Sequence, residues 1–226
     1  MKIIKKTKLL SWKNPYIKDG LIAMWDAEWN APLGRHDPTA THWTDIINGY
    51  VGVKMKDIIS WHNKSCSIAN GYFLVDPLPD PIKDAMNADT FTWEVCRNYK
   101  SGSGQYTCIQ TPDIRYEFWA SGEGNTNSYL SWHSPSFTAY CGGGRSLAKD
   151  TRSFTIDNTT IKGYNGGELY ATATFTPVGE IKNAALQLGS LRGIAADLYC
   201  IRIYNRALSA EEIVANFAAD KARFKL

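Results

Sequence analysis

Apolar and polar side chains take turns along most of this chain, in short runs that recur roughly every 8–12 residues between clusters of Gly, Pro, Asn and Ser; that spacing is the mark of half-buried strands joined by turns. The strongest run covers residues 91–99 (FTWEVCRNY), and others cover 21–27, 105–111, 114–120, 129–133, 137–141 and 198–204. Residues 51–75 hold two or three shorter strands, with turns at Asn63-Lys64 and Asn70-Gly71. Three prolines within 76–87 interrupt the alternation and leave room for a one-turn helix around 82–86. Asn165-Gly166 supplies the two positive-φ positions that a type I′ hairpin turn demands. The triple glycine 142–144 precedes no helix, so it is a hairpin tip or bend rather than a phosphate loop. In the last strand Tyr199, Ile201 and Ile203 alternate with Leu198, Cys200, Arg202 and Tyr204, so both faces are covered. The period then changes. Ser209 and Glu212 form a capping box, and Leu208 and Ile213 a hydrophobic staple. Ala210, Ile213, Val214, Phe217 and Ala218 draw an apolar stripe on the helix that follows.

These elements predict an all-β fold, an antiparallel β-sandwich closed by a short C-terminal helix. At 226 residues the chain suits one such domain. Four separated stretches also resemble LamG-like domains of the concanavalin A-like lectin and glucanase jelly-roll type. They are the opening DGLIAMWD (19–26), the hairpin KGYNGGEL (162–169), the LQLG stretch (186–189) and the closing RIYNRALSAEEI (202–213). Trp43-Thr44-Asp45 with Asn48-Gly49 is similar to a corner of that family, in which Asp caps a turn and Trp plugs the sandwich edge. The resemblance implies a jelly roll over residues 19–226 whose first and last strands pair, preceded by a basic arm over 1–18. It also implies that Arg202, Tyr204 and Arg206 are seam residues.

Charge and composition narrow the partners. A net charge of +3 on 226 residues leaves no footprint for nucleic acid. Lys2, Lys5, Lys6 and Lys8 interrupt the apolar pairs at the start, so no signal-peptide core forms, and no apolar run is long enough to span a membrane. Five cysteines cannot all pair, and none has metal-ligand spacing. If 101–104 turns a hairpin, Cys96 and Cys108 fall nearly opposite one another, as a reduced pair.

No catalytic constellation stands out. Glu94 and Glu117 lie in strands and could face each other as a glycosidase pair, but solvated or arginine-paired strand faces are the simpler reading, and the chain reads as non-enzymatic. Many LamG-like domains hold calcium, and here Asp26, Asp37, Asp45 and Asp157 are the loop carboxylates that would supply it, without a fixed spacing. A sugar needs aromatic faces beside hydrogen-bonding groups. The densest such stretch contains Trp119, Asn125, Asn127, Tyr129, Trp132, His133 and Tyr140. Alternation sends Trp132 to the core, leaving Trp119, Asn125, Asn127, Tyr129, His133 and Tyr140 as candidates for glycan contact. The resemblance implies a non-catalytic binding or adhesion module for a glycan or cell-surface polysaccharide. It is similar to the stand-alone LamG-like proteins of bacteriophage particles, which implies a virion or extracellular surface, with other virion proteins met through the N-terminal arm. The rival expectation is a structural capsid or tail decoration protein that touches only protein subunits.

Overall fold

Sixteen strands, all paired antiparallel, account for most of the residues described by the computed structural model, which are 14–32, 35–56, 59–111, 115–120, 127–134, 136–145, 149–189 and 193–226. They form two eight-stranded sheets. Sheet I runs in the order β14 (Glu168–Thr174), β13 (Thr160–Asn165), β12 (Lys149–Asp157), β7 (Thr90–Ser101), β16 (Ala195–Tyr204), β5 (Ser65–Ala69) and β4 (Ile59–His62). Its eighth strand, β1 (Leu21–Asp26), shares an edge of β16 with β5: β5 takes Ala195–Leu198 and β1 takes Cys200–Tyr204. The first and last strands therefore pair, as expected. Sheet II runs in the order β11 (Phe137–Arg145), β10 (Asn127–Ser134), β9 (Arg115–Ala120), β8 (Gly104–Gln110), β15 (Ala185–Gly189), β6 (Tyr72–Val75), β3 (Val51–Lys54) and β2 (His42–Thr44). The chain is a β-sandwich.

Alternate residues of both sheets meet in one core. Phe91, Trp93, Val95, Ile201 and Ile203 come from sheet I, and Tyr116, Phe118, Leu130, Trp132, Leu186 and Leu188 from sheet II. Trp93 and Phe118 meet edge to face across the sheets with ring centroids 5.2 Å apart, a geometry aromatic quadrupoles favour. Trp43 is fully buried against Trp61 and Phe73, while Asp45 accepts backbone N–H bonds from Met24, Ile47, Asn48 and Gly49, so the Trp–Asp corner forms as its residues suggest.

Helix α1 (Asp80–Asn87) is longer than one turn and tucks Ile82, Ala85 and Met86 into the core. Helix α2 (Ala210–Phe224) starts with the expected capping box, and Leu208 and Ile213 are buried together. Its inward face is not the expected stripe. Val214 is 51% exposed, and the buried line is Ile213, Asn216, Asp220 and Phe224. The physical reason is a polar hub on the outer face of sheet I. Arg202 Nε donates to Glu94 Oε2 at 2.7 Å, and its two terminal nitrogens donate to Asp220 at 2.7 and 2.6 Å. Asn216 donates to Glu94 and to Tyr204 Oη, and Thr151 and Tyr16 donate to Asp220. Arg206 pairs with Glu212 and Asp19 at the corner before the helix, so the three seam residues lie where the resemblance implies.

Four local expectations change. A register shift between Leu198 and Cys200 lets Leu198 join Ile201 and Ile203 in the core, leaving Cys200, Arg202 and Tyr204 on the side of α2. The positive φ angles of the 165–168 turn belong to Gly166 and Gly167, because Asn165 is still paired with Glu168. Of the hairpin tip or bend expected at 142–144, the tip does not form: these glycines lie inside β11, where the register shifts between the Asn127–Arg145 and Tyr129–Gly142 pairs. Residues 101–104 do not turn a hairpin: they carry the chain from sheet I to sheet II, so Cys96 and Cys108 are not opposed, and Cys96 instead faces Cys200. All five cysteines are buried and none is in a disulfide. Of the basic arm, residues 1–13 lie outside the described residues, and the segment that follows packs on α2, with Tyr16 buried and Ile17 N donating to Asn216.

Candidate functional site

Sheet II presents the candidate residues on its outer face. In β10, Leu130 and Trp132 point into the core, so Tyr129, Ser131 and His133 point out. Register then assembles the neighbours, since residues directly opposite in an antiparallel pair share a face. Tyr129 lies opposite Trp119 and Ser131 opposite Glu117 on β9; on β11, Ser131 lies opposite Tyr140 and His133 opposite Thr138. Trp119 and Tyr129 are stacked with centroids 6.3 Å apart and planes 20° from parallel, and the Tyr140 ring is 6.0 Å from that of Tyr129. Tyr140 is 69% exposed. Gly142, the residue opposite Tyr129, has no side chain, so on β11 it is the Tyr140 ring that meets Tyr129. The result is a three-ring aromatic platform.

Polar groups border it. Glu117 Oε2 lies 3.3 Å from His133 Nε2 and accepts from Ser131 Oγ at 3.4 Å, while His133 Nδ1 lies 3.0 Å from Thr138 Oγ1. Burial, with Glu117 and Tyr140 adding to it, pushes the Tyr129 hydroxyl above its ordinary pKa, so it stays protonated and able to donate. Among the described residues, the main strand contacts of both helices are with sheet I. Of the sequence candidates, Trp119, Tyr129, His133 and Tyr140 come together here. Asn127 begins β10 opposite Arg145, one register step beyond Trp119 and Tyr129, and Asn125 lies outside the described residues. Glu117, weighed in the sequence only as an acid, and Ser131, Thr138 and Gln187 complete the face. A polar residue between two buried leucines (Leu186, Gln187, Leu188) is the period-two signal that could have found the last of them.

Other groups that resemble chemistry are differently employed. Glu94 points from sheet I toward α2 and Glu117 from the opposite outer face of the sandwich, so they cannot flank one bond. His62, Ser67 and Asp197 touch in sequence on sheet I, with His62 Nε2 2.9 Å from Ser67 Oγ and that hydroxyl donating to Asp197. A nucleophilic triad puts the base between nucleophile and carboxylate; here the serine is in the middle and its proton faces the acid. Asp26 is buried against Arg223, Asp37 accepts from Thr39, Asp45 caps its turn and Asp157 accepts from Asn158. Among the described residues no cluster of three or more His, Cys, Asp or Glu side chains could hold a metal ion.

No protein-family model and no curated protein sequence matches the chain. Solved structures do. The binding domain of botulinum neurotoxin DC, solved with rat synaptotagmin II, superposes with a TM-score of 0.72 at 11% identity, over 90% of this chain and 52% of that one. The same toxin domain in complex with SialylT gives 0.68, at 11% identity, over 89% and 52%. Domain 4 of AbnA, an extracellular arabinanase of Geobacillus stearothermophilus, solved with arabinotriose, gives 0.66 at 16% identity over 89% of this chain and 100% of that domain. The likeness is one of fold. The chain spans about half the length of the toxin domains and the whole of the arabinanase domain.

Proposed function

We propose that this protein is a non-catalytic carbohydrate-binding module that takes its glycan on the outer face of sheet II. The observation that carries this reading is the platform of Trp119, Tyr129 and Tyr140 bordered by Glu117, Ser131 and His133. A pyranose or furanose offers an apolar face to the rings and hydroxyls to the polar border. The reading is supported by the arabinotriose complex of the similar AbnA domain, which this chain covers in full. Affinity electrophoresis through gels containing neutral and acidic polysaccharides tests it. The wild type is retarded by at least one of them, and Trp119→Ala weakens that retention roughly tenfold, as about 1–2 kcal/mol of ring contact demands. Unretarded wild type across the panel, or retention indifferent to Trp119→Ala, sinks the assignment.

We further infer a LamG-like adhesion role on a virion surface or tail, with a host or environmental glycan as its target. This setting extends the resemblance of the opening, hairpin and closing motifs to LamG-like domains, a family that also occurs in bacteriophage particles. Proteomics of purified particles from the source culture tests it: the chain is recovered with capsid or tail proteins, and its absence from them refutes the setting.

A further inference from the structure

Helix α2 does not close the outer face of sheet I everywhere: at the β12–β13 hairpin Asp157 and Lys162 are exposed. Phe154, Ile156 and Ile161 point into the core, so Thr155, Asp157, Thr160 and Lys162 point out. Register pairs Thr155 with Lys162 and Asp157 with Thr160, which sets the four at the corners of a rectangle of about 5 by 7 Å. The 206–210 turn and Glu212, at the start of α2, stand opposite. Between the two walls lies a cavity of about 420 Å³. Thr155, Tyr164 and Leu208 are 4%, 3% and 4% exposed and close its inner end, whereas Asp157, Lys162 and Ser209 stand at its mouth.

The fold does not use up the polar groups of this cavity. Among the described residues the Thr160 hydroxyl and the Lys162 ammonium make no hydrogen bond or ion pair, and Asn158 takes only Oδ1 of Asp157. The hydroxyls of Thr155 and Tyr164 bond to each other. Each hydroxyl carries one proton and two lone pairs, so the pair keeps a donor and acceptors to spare. Charge is balanced around them. Arg206 is spent on Glu212 at 2.8 and 2.6 Å, and Lys162 offsets Asp157 across the rectangle. The amino end of α2 adds no pull for an anion, because its capping box is closed and Glu211 and Glu212 occupy its first turn. An ion of either sign would meet a group of its own sign in the walls. A neutral ligand with several hydroxyls can donate to Asp157 and accept from Lys162, both of them charge-assisted bonds.

Resting on the carbohydrate reading above for its ligand class, we propose that this cavity is a second sugar site, separate from the ring platform of sheet II. It takes about one or two units of a neutral glycan, a size that suits its volume, held by hydrogen bonds rather than by ring stacking. With sites on opposite faces of the sandwich, one molecule holds two glycan segments at once.

Amide shifts of the 15N-labelled full chain test this, titrated with arabinose, glucose, galactose and N-acetylglucosamine beside the acidic galacturonate and N-acetylneuraminate. At least one neutral sugar moves the amides of 155–164 and 206–212 saturably, in Trp119→Ala as in the wild type. Asp157→Asn combined with Lys162→Met weakens that binding at least tenfold, as the loss of two charge-assisted bonds demands. Both side chains are exposed, so Tm stays at the wild-type value. Binding that the double variant leaves intact overturns the site. Tighter binding there of galacturonate or N-acetylneuraminate than of every neutral sugar overturns the neutral class. Silent amides at 155–164 and 206–212, with 117–120 and 127–134 responding, remove the second site and leave the carbohydrate reading standing. Silence in both regions, together with unretarded migration in all polysaccharide gels, removes both.

Discussion

Arg202 shows how one residue can be buried, charged and structural at once. It is fully enclosed between Glu94 and Asp220, with its guanidinium carbon 4.1 Å from the centre of the Tyr16 ring. Buried ions are stable only when the partner geometry replaces water, and removing one partner strands the others. Arg202→Met leaves two buried carboxylates facing each other, which costs about 3–5 kcal/mol. A drop in Tm of roughly 10 °C follows for a chain of this size. Replacing the whole set with Arg202→Met, Glu94→Leu and Asp220→Leu recovers most of that loss, and a thermal melt that places the single and triple variants together contradicts it. The sequence signalled this only in part. Alternation puts Arg202 opposite the core side, but nothing local says that the cover over it supplies an acid four residues after an amide. The same limit explains the candidate site. Aromatic density marks Trp119, Tyr129 and Tyr140, whereas Glu117, Ser131 and Gln187 join them only through cross-strand register, which pairs Gln187 with Cys108, 79 positions away.

At the scale of elements, local signals were readable and tertiary ones were not. The capping box of α2 needs only Ser209 and Glu212 three residues apart, and it forms as read. The buried face of α2 depends on what lies beneath it, and a polar hub draws Asn216 and Asp220 inward where a stripe of alanines and Val214 looked apolar. The bulge after Leu198 and the passage of the chain between sheets at 101–104 also leave no periodic mark. Gly102 shows why that passage admits no side chain: its φ is +89° and a Cβ there would lie 2.1 Å from the carbonyl oxygen of Gly193. The cap itself makes a prediction about acid. The hydrogen bonds from Arg206 hold the Glu212 carboxyl below its ordinary value of 4.5, against a smaller opposing push from burial. A carboxylate whose folded pKa is depressed stabilises the fold above its unfolded pKa and loses that contribution as pH falls through the folded value. Amide hydrogen exchange at residues 209–213 is therefore slow at neutral pH and accelerates below about pH 4.5, after correction for the intrinsic rate. Glu212→Gln shows the faster exchange already at neutral pH. Protection that is flat with pH in the wild type contradicts the role of the pair.

For the molecule as a whole, the two outer faces of the sandwich do different work. Sheet I is covered by α2 and sealed by charge, whereas sheet II carries rings and acceptors with no described helix over it. Stacked sheets lie about 10 Å apart, so the hub and the platform are separated by the full thickness of the core. Sites that far apart with no shared partner add independently, within about 0.3–0.5 kcal/mol. Asn216→Ala removes hydrogen bonds to Glu94 and Tyr204 and lowers unfolding stability by about 1–3 kcal/mol. It leaves the Kd for a bound oligosaccharide within twofold. Trp119→Ala weakens binding about tenfold and, being half-buried on a strand away from the hub, changes stability by less than about 1 kcal/mol. The double variant shows the sum of the two stability changes in urea titration and the Kd of Trp119→Ala alone. A coupling above about 1 kcal/mol in either quantity would mean that the core transmits strain between the sheets, and the separation of a sealed face from a binding face would fail.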